Sequence, residues 1–107
     1  MTKISSYLGF CIRARKIVFG VDRIETQNRG YLLIADGDLK ENSLKIMIKA
    51  SERMSCRLLI TDGGLLGELL HRGGVKAVVI TEKQLAHAIE KEAESKPQIK
   101  FYSGGQN

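Results

Sequence analysis

The chain offers few residues whose types and spacing invite chemistry. His71 and His87 are its only histidines, and neither belongs to a set with metal-ligand spacing. His87 lies between Ala86 and Ala88 on a helical stretch, a surface or boundary position. Asp36 and Asp38 form a D-x-D at the end of an apolar run, where metal and phosphate enzymes often place carboxylates. A turn whose Asp side chains accept local backbone N–H groups explains the pair more simply. No Ser or Cys sits in a nucleophile-elbow context. Cys11 and Cys56 are isolated in apolar surroundings and read as buried free thiols rather than a disulfide. No catalytic residue, metal or cofactor is expected.

Asp62-Gly63-Gly64-Leu65-Leu66-Gly67 invites comparison with a dinucleotide-binding turn. The first glycine of G-x-G-x-x-G is Asp62 here, which would set a negative charge beside a pyrophosphate, and the remaining chain is too short for a full dinucleotide fold. A capped helix start is the better account. Exposed N–H groups at that helix start would still suit an anion, so a small anion- or nucleotide-binding module stands as the second reading.

Charge gives the stronger signal. Lys plus Arg number 17 against 12 Asp plus Glu, a formal net charge of +5 over 107 residues. Residues 1 to 30 concentrate it, with Lys3, Arg13, Arg15, Lys16, Arg23 and Arg29 against only Asp22 and Glu25. Arginines beside oriented backbone donors make a phosphate-binding surface. A solvated basic face is the bland alternative, and charge by itself does not separate the two.

These residues need a scaffold, and the hydrophobic periods supply one. Ile4, Tyr7, Leu8, Cys11 and Ile12 mark one face of a first helix, with Thr2 as its cap. Ile17 to Phe19 is a brief strand, and Gly20 opens a short helix to about Asn28 that Gly30 ends. Tyr31 to Ala35 is an unbroken apolar run, which suits a strand covered on both faces. Leu44, Met47, Ile48 and Ser51 stripe a third helix capped by Asn42. Arg57 to Ile60 is a second core strand, and the Asp62 turn leads into a helix with Leu65, Leu66, Leu69 and Leu70. A glycine-rich loop, His71 to Gly74, precedes a strand at Val75 to Ile80. Thr81-Glu82-Lys83-Gln84 matches a capping box before the last helix.

That order predicts an α/β fold, a three-layer α/β/α sandwich around a mixed sheet of about four strands. Residues 1–95 form a single domain, and 96–107 form a loose C-terminal tail with one short strand conceivable at Ile99 to Tyr102. No apolar run is long enough to span a membrane. The N-terminus lacks the continuous apolar region and small-residue cleavage site of a signal peptide. A reduced, cytoplasmic setting is expected.

Element order and local residues together resemble a known family. Tyr7-Leu8-Gly9, Arg13-Ala14-Arg15-Lys16-Ile17-Val18-Phe19-Gly20, Leu33-Ile34-Ala35-Asp36, Leu66-Gly67 and Ala77-Val78-Val79-Ile80-Thr81 are similar to segments of the ribosomal L-seven-Ae/L-thirty-e superfamily of kink-turn RNA-binding proteins, above all its small bacterial members. The similarity runs over about residues 4 to 92. It implies a non-enzymatic protein that binds structured RNA, a kink-turn or another non-helical feature of ribosomal RNA. In that family the N-terminus of the second helix enters a widened groove at sheared G·A pairs, and a loop near the sheet edge covers an extruded nucleotide. By position the first element is Gly20, Val21, Asp22, Arg23 and Thr26, flanked by Arg13, Arg15 and Lys16. The second is Leu70, His71, Arg72, Gly73, Gly74, Val75 and Lys76.

The chain departs from the G-x-N-E-x-x-K pattern of eukaryotic and archaeal members. Asp22 replaces an amide, Arg23 reverses a charge and Thr26 shortens a lysine. An ionised Asp only accepts and an Arg only donates, so the family's guanine contacts do not transfer unchanged. Arg23 could fork onto guanine O6 and N7 or hold a phosphate. The expected partner is structured RNA, with neither DNA nor membrane. The rival readings are the anion- or nucleotide-binding module and a protein-interaction adaptor of the same fold.

Overall fold

A chain that alternates helical and strand periods must bury its unbroken apolar runs between layers, and it does so here. The computed structural model describes residues 1–103; residues 104–107 of the expected tail lie outside the described residues. The element order is α1 (Thr2–Arg13), β1 (Ile17–Phe19), α2 (Val21–Glu25), β2 (Leu32–Asp36), α3 (Glu41–Met54), β3 (Arg57–Thr61), α4 (Leu65–Leu70), β4 (Ala77–Ile80), α5 (Lys83–Ala93) and β5 (Ile99–Phe101). The strands make one five-stranded mixed sheet in the order β1-β4-β2-β3-β5. β2 and β3 are parallel, while β4 runs antiparallel to both β1 and β2, and β5 runs antiparallel to β3.

Helices cover both faces of the sheet. On one face Ile4 and Leu8 of α1, Leu66 and Leu69 of α4 and Ile89 of α5 pack on Leu32, Ile34, Val78 and Ile80. On the other, Ile24 of α2 with Met47 and Ala50 of α3 packs on Leu33, Ala35, Leu58 and Val79. The alternation of neighbours along β2 between these two clusters is the period-2 geometry of a strand, and every residue of β2 and of β4 is buried. Each fully buried Leu or Ile contributes about 1.5–3 kcal/mol. The three-layer α/β/α architecture is therefore as expected from the sequence.

The strand count is five rather than about four. The added strand, β5, lies in the stretch expected to be loose. Thr61 faces Ile99 and Leu59 faces Phe101, the Tyr102 N–H donates to the Leu58 carbonyl at 2.8 Å, and Ile99 is buried. This strand covers a β3 edge that would otherwise stand open. Three residues are too few to display an alternation, which is why the period lapses there.

The helix ends also differ. α2 stops at Glu25, well before Gly30, with Thr26 at its C-cap. The Arg53 guanidinium takes the Ile24 and Gln27 carbonyls at 3.0 and 2.9 Å, which satisfies the helix end without a glycine. α1 is capped by Met1 and α3 by Lys40, so Thr2 and Asn42 lie inside their helices. Thr81 is not the cap of α5, because its N–H is tied to the Lys16 carbonyl at 2.9 Å beside the β1–β4 ladder. Glu82 caps instead, its Oε1 accepting the Leu85 N–H at 2.7 Å.

Candidate functional site

The turn at Gly20 and the loop after α4 meet. Gly20 has φ +94°, a conformation that L side chains rarely adopt, and nothing lies within 4 Å of where its Cβ would stand. Gly74 repeats both features at φ +89°. Gly20 is joined to the start of β4 by its N–H, which donates to the Ala77 carbonyl at 2.9 Å. Between the two segments opens a cleft of about 320 Å³ lined by Phe19, Gly20 and Val21 on one side and Gly74, Val75 and Lys76 on the other. Both walls thus expose backbone with no Cβ in front of it, which permits close approach of a ligand.

The loop itself is held. A Cβ on Gly67 would lie 2.9 Å from the Arg72 carbonyl, so the glycine in α4 lets the chain fold back. Arg72 is exposed and its Cζ lies 4.7 Å from the centre of the Phe19 ring, a cation–π contact that aims the guanidinium over β1. Lys76 is exposed with its Nζ 3.9 Å from Asp38, a surface pair of little energetic weight. His71 points elsewhere: its Nε2 is 3.3 Å from Ser5 Oγ on α1. Because that hydroxyl donates to the Leu69 carbonyl at 2.7 Å, the imidazole must be the donor to it. Leu70 is buried in the core at 4% exposure and cannot meet a ligand. Val21 and Val75 are half-buried, packed against the two cores.

On α2, Asp22 and Arg23 are exposed. Thr26 is exposed too, but its hydroxyl donates to the Arg23 carbonyl at 3.1 Å and so serves the helix end. Arg53, which the sequence reading did not single out, anchors this helix through the carbonyls named above.

Arg13, Arg15 and Lys16 do not converge on the cleft. β1 separates them from Gly20, about 13 Å from Lys16 to Gly20 at ~3.3 Å per residue. Arg13 turns back along α1, its Cζ 4.9 Å from the Phe10 ring centre. Arg15 follows the C-cap Ala14 with φ +58°. Its N–H donates to the Ile12 carbonyl at 3.1 Å, and the Lys16 N–H to the Cys11 carbonyl at 2.8 Å. This is a Schellman ending with an arginine where glycine is preferred. Ser55 and His71 end α3 and α4 in the same left-handed conformation, at φ +54° and +55°.

The D-x-D and the glycine-rich turn resolve into one structural device. Asp36 is buried, with 2% exposure. Its Oδ2 accepts the N–H groups of Asp38 at 3.0 Å and Gly64 at 2.8 Å. Its Oδ1 accepts the Leu66 N–H at 3.0 Å and the Thr61 hydroxyl at 3.1 Å. Burial is the largest single influence on this carboxyl and pushes its pKa up. The backbone donors and Thr61 together outweigh it, so Asp36 titrates below the ordinary Asp value. The start of α4 therefore already holds an anion, the protein's own, and the donors a nucleotide phosphate would need there are taken.

Other reactive types are quiet. Cys11 is buried and Cys56 half-buried rather than fully buried, and both are free. Burial pushes each thiol up to about 11, so neither is a thiolate at neutral pH. His87 is exposed on α5. Among the described residues no three His, Cys, Asp or Glu side chains are grouped to hold a metal ion, and no helix is long and apolar enough to cross a membrane.

No protein-family model matches the sequence, and no curated protein matches it. The fold is similar to a solved structure described as that of a protein with unknown function from Bacillus halodurans C, with a TM-score of 0.75. The two chains are 15% identical, and the match covers 85% of this chain and 96% of that one. At that identity the likeness concerns the fold alone.

Proposed function

We propose that this protein is a non-enzymatic RNA-binding protein that seats a non-helical feature of structured RNA in the cleft between the Gly20 turn and the Gly74–Lys76 segment. One observation carries the reading: two positive-φ glycines far apart in sequence, both open around the missing Cβ, line opposite walls of one cleft. Exposed cations stand near it, Arg23 on α2 and Arg72 and Lys76 on the loop. Backbone that can approach closely, with Lys76 in the wall and Arg72 over the Phe19 ring that lines it, suits a phosphate chain that leaves regular helical form. By position the resemblance to kink-turn binders puts their two RNA-contacting elements on these segments, although the residues at Asp22, Arg23 and Thr26 differ, and ribosomal RNA is the partner we assign. We assign the activity to the cytoplasm, whose reducing conditions suit two free cysteines.

The nucleotide-binding reading loses its basis in the occupied donors at Gly64 and Leu66. Crosslinking in cells followed by sequencing of the bound RNA tests the proposal. Enrichment of structured ribosomal segments, lost in Gly20→Val, is expected. Recovery of RNA at background level would overturn it.

A further inference from the structure

A second basic face lies on α3, and the cleft does not account for it, because none of its cations lines the cleft. Lys45, Lys49 and Arg53 recur at i, i+4 and i+8 on α3, all exposed. One helical turn, about 6 Å, separates each from the next. Like charges at this spacing weaken an isolated helix. Glu41 and Glu52 share the helix, yet the two ion pairs among the described residues, Lys3–Glu92 and Lys76–Asp38, relieve none of these cations. Arg53 is compensated by the Ile24 and Gln27 carbonyls it holds, but Lys45 and Lys49 are in neither of those ion pairs and present their charge to solvent.

The shape is consistent with that. The three cations line a groove of about 270 Å³ between α3 and the end of α2, in which Glu25 is the single carboxylate. Arg53 also lines a second hollow of about 250 Å³ with Asn28, Arg29 and Tyr31, so the two share this arginine as a common border. Among the described residues Tyr31 is one of two exposed large hydrophobic residues, at 44% exposure. It is fixed by its backbone, whose N–H donates to the Ile80 carbonyl at 2.8 Å. Arg53 is fixed as well, by the α2 carbonyls it holds.

We infer that this face is a second nucleic-acid contact, taking a single-stranded ribonucleotide segment that leaves the structured RNA seated in the cleft. Its phosphates lie along Lys45, Lys49 and Arg53, and one base stacks on Tyr31 beside Arg29. A cationic track ending in an aromatic platform is the combination that binds single strands without reading their sequence. Duplex fits less well, because a stacked helix hides its base faces from Tyr31. The inference rests on the RNA-binding reading for the identity of the polyanion, but the two sites use different residues and fail separately.

The full chain is titrated against a labelled twelve-residue oligouridine, a hairpin duplex of equal length, and ribosomal RNA, by fluorescence anisotropy at several salt concentrations. Lys45→Ala/Lys49→Ala should weaken oligouridine binding at least tenfold and lower the magnitude of the log–log salt slope by about 1.4, at ~0.7 per phosphate contact. Its melting temperature should not fall, since a repulsion is removed. Tyr31→Ala should weaken the same binding by about 5- to 150-fold. Lys83→Ala/Lys91→Ala, on α5 in the opposite layer, is the charge-matched control and should change it less than twofold. Equal losses in the two double variants, or tighter binding of the duplex than of oligouridine, would overturn the inference. If ribosomal RNA binds and is lost in Arg23→Ala while oligouridine does not bind, the second face is wrong and the cleft stands. If oligouridine depends on Lys45 and Lys49 while cleft variants leave ribosomal RNA binding unchanged, the cleft reading fails and the second face stands.

Discussion

Asp36 Oδ1 accepts the backbone N–H of Leu66 at 3.0 Å across 30 residues of chain, so a carboxylate at the end of β2 sits on the start of α4. The bond joins the central strand to the helix that leads into the Arg72–Gly74 loop. Removing the carboxylate with Asp36→Ala strands the buried Leu66 N–H. It also deprives the Thr61 hydroxyl and the part-buried Asp38 and Gly64 N–H groups of this acceptor, at about 1–3 kcal/mol for each buried group left unsatisfied. A loss of roughly 3 kcal/mol or more is expected in urea unfolding, with ribosomal RNA affinity reduced through the loop.

The same carboxyl sets an acid limit. Its folded pKa is below its unfolded value, so its contribution is fully present above the unfolded Asp pKa of about 3.9 and is lost as pH falls through the folded pKa. Between those values the wild type should lose stability as pH drops, while Asp36→Asn should show a shallower dependence over that window. Parallel pH profiles from denaturant melts would contradict this.

Nucleotides should not stabilise the fold. With Gly64 and Leu66 donating inward, ATP, GTP or NAD at millimolar levels should leave the melting temperature unchanged, since only a ligand that prefers the folded state raises it. A clear rise, abolished by Gly64→Val, would restore a phosphate site at α4.

Arg15 and Ser55 allow stability and binding to be separated. Both adopt positive φ after a helix, where a non-glycine residue carries a cost of about 1 kcal/mol. Arg15→Gly and Ser55→Gly should each raise stability by up to ~1 kcal/mol. Arg15 lies off the cleft, a strand's length from Gly20, so both variants should keep ribosomal RNA affinity within about twofold and leave the salt slope unchanged. Weaker binding and a flatter salt slope in Arg15→Gly alone would place Arg15 in the interface.

Gly20 tests the cleft most directly. Val at φ +94° is strained although no atom lies within 4 Å of the new Cβ, so Gly20→Val should destabilise modestly and abolish most RNA binding while removing no charge. Arg23→Ala should cost about 1–3 kcal/mol with relaxed preference at one base if it reads guanine, or a smaller, uniform loss if it touches phosphate. Lys91→Ala on α5 is the charge control. Loss in Lys91→Ala equal to that in Arg23→Ala, with normal binding by folded Gly20→Val, would place the site elsewhere.

Much of this was visible in local pattern. The unbroken apolar runs at Leu32 and Ala77 announce strands covered on both faces, and the stripes of α1, α3 and α5 announce the layers. Gly20 marks its own turn. What escaped was pairing at a distance. Asp36 reads as a turn residue because nothing near it in sequence reveals Gly64 and Leu66 as its donors. Arg53 looks like any surface arginine until α2 ends against it. Arg13, Arg15 and Lys16 seem one with Gly20 because a linear count of charge ignores the extended reach of β1. β5 was faint because three residues leave no period to see.

Both borders of the sheet, β1 and β5, are strands of three residues. A longer border would offer another copy a row of unpaired N–H and C=O groups to extend. Here each row ends almost as it starts, because the chain leaves β1 at Gly20, where φ is +94°, and β5 ends at Phe101. A protein built this way can reach high local concentration with little tendency to polymerise through its own backbone.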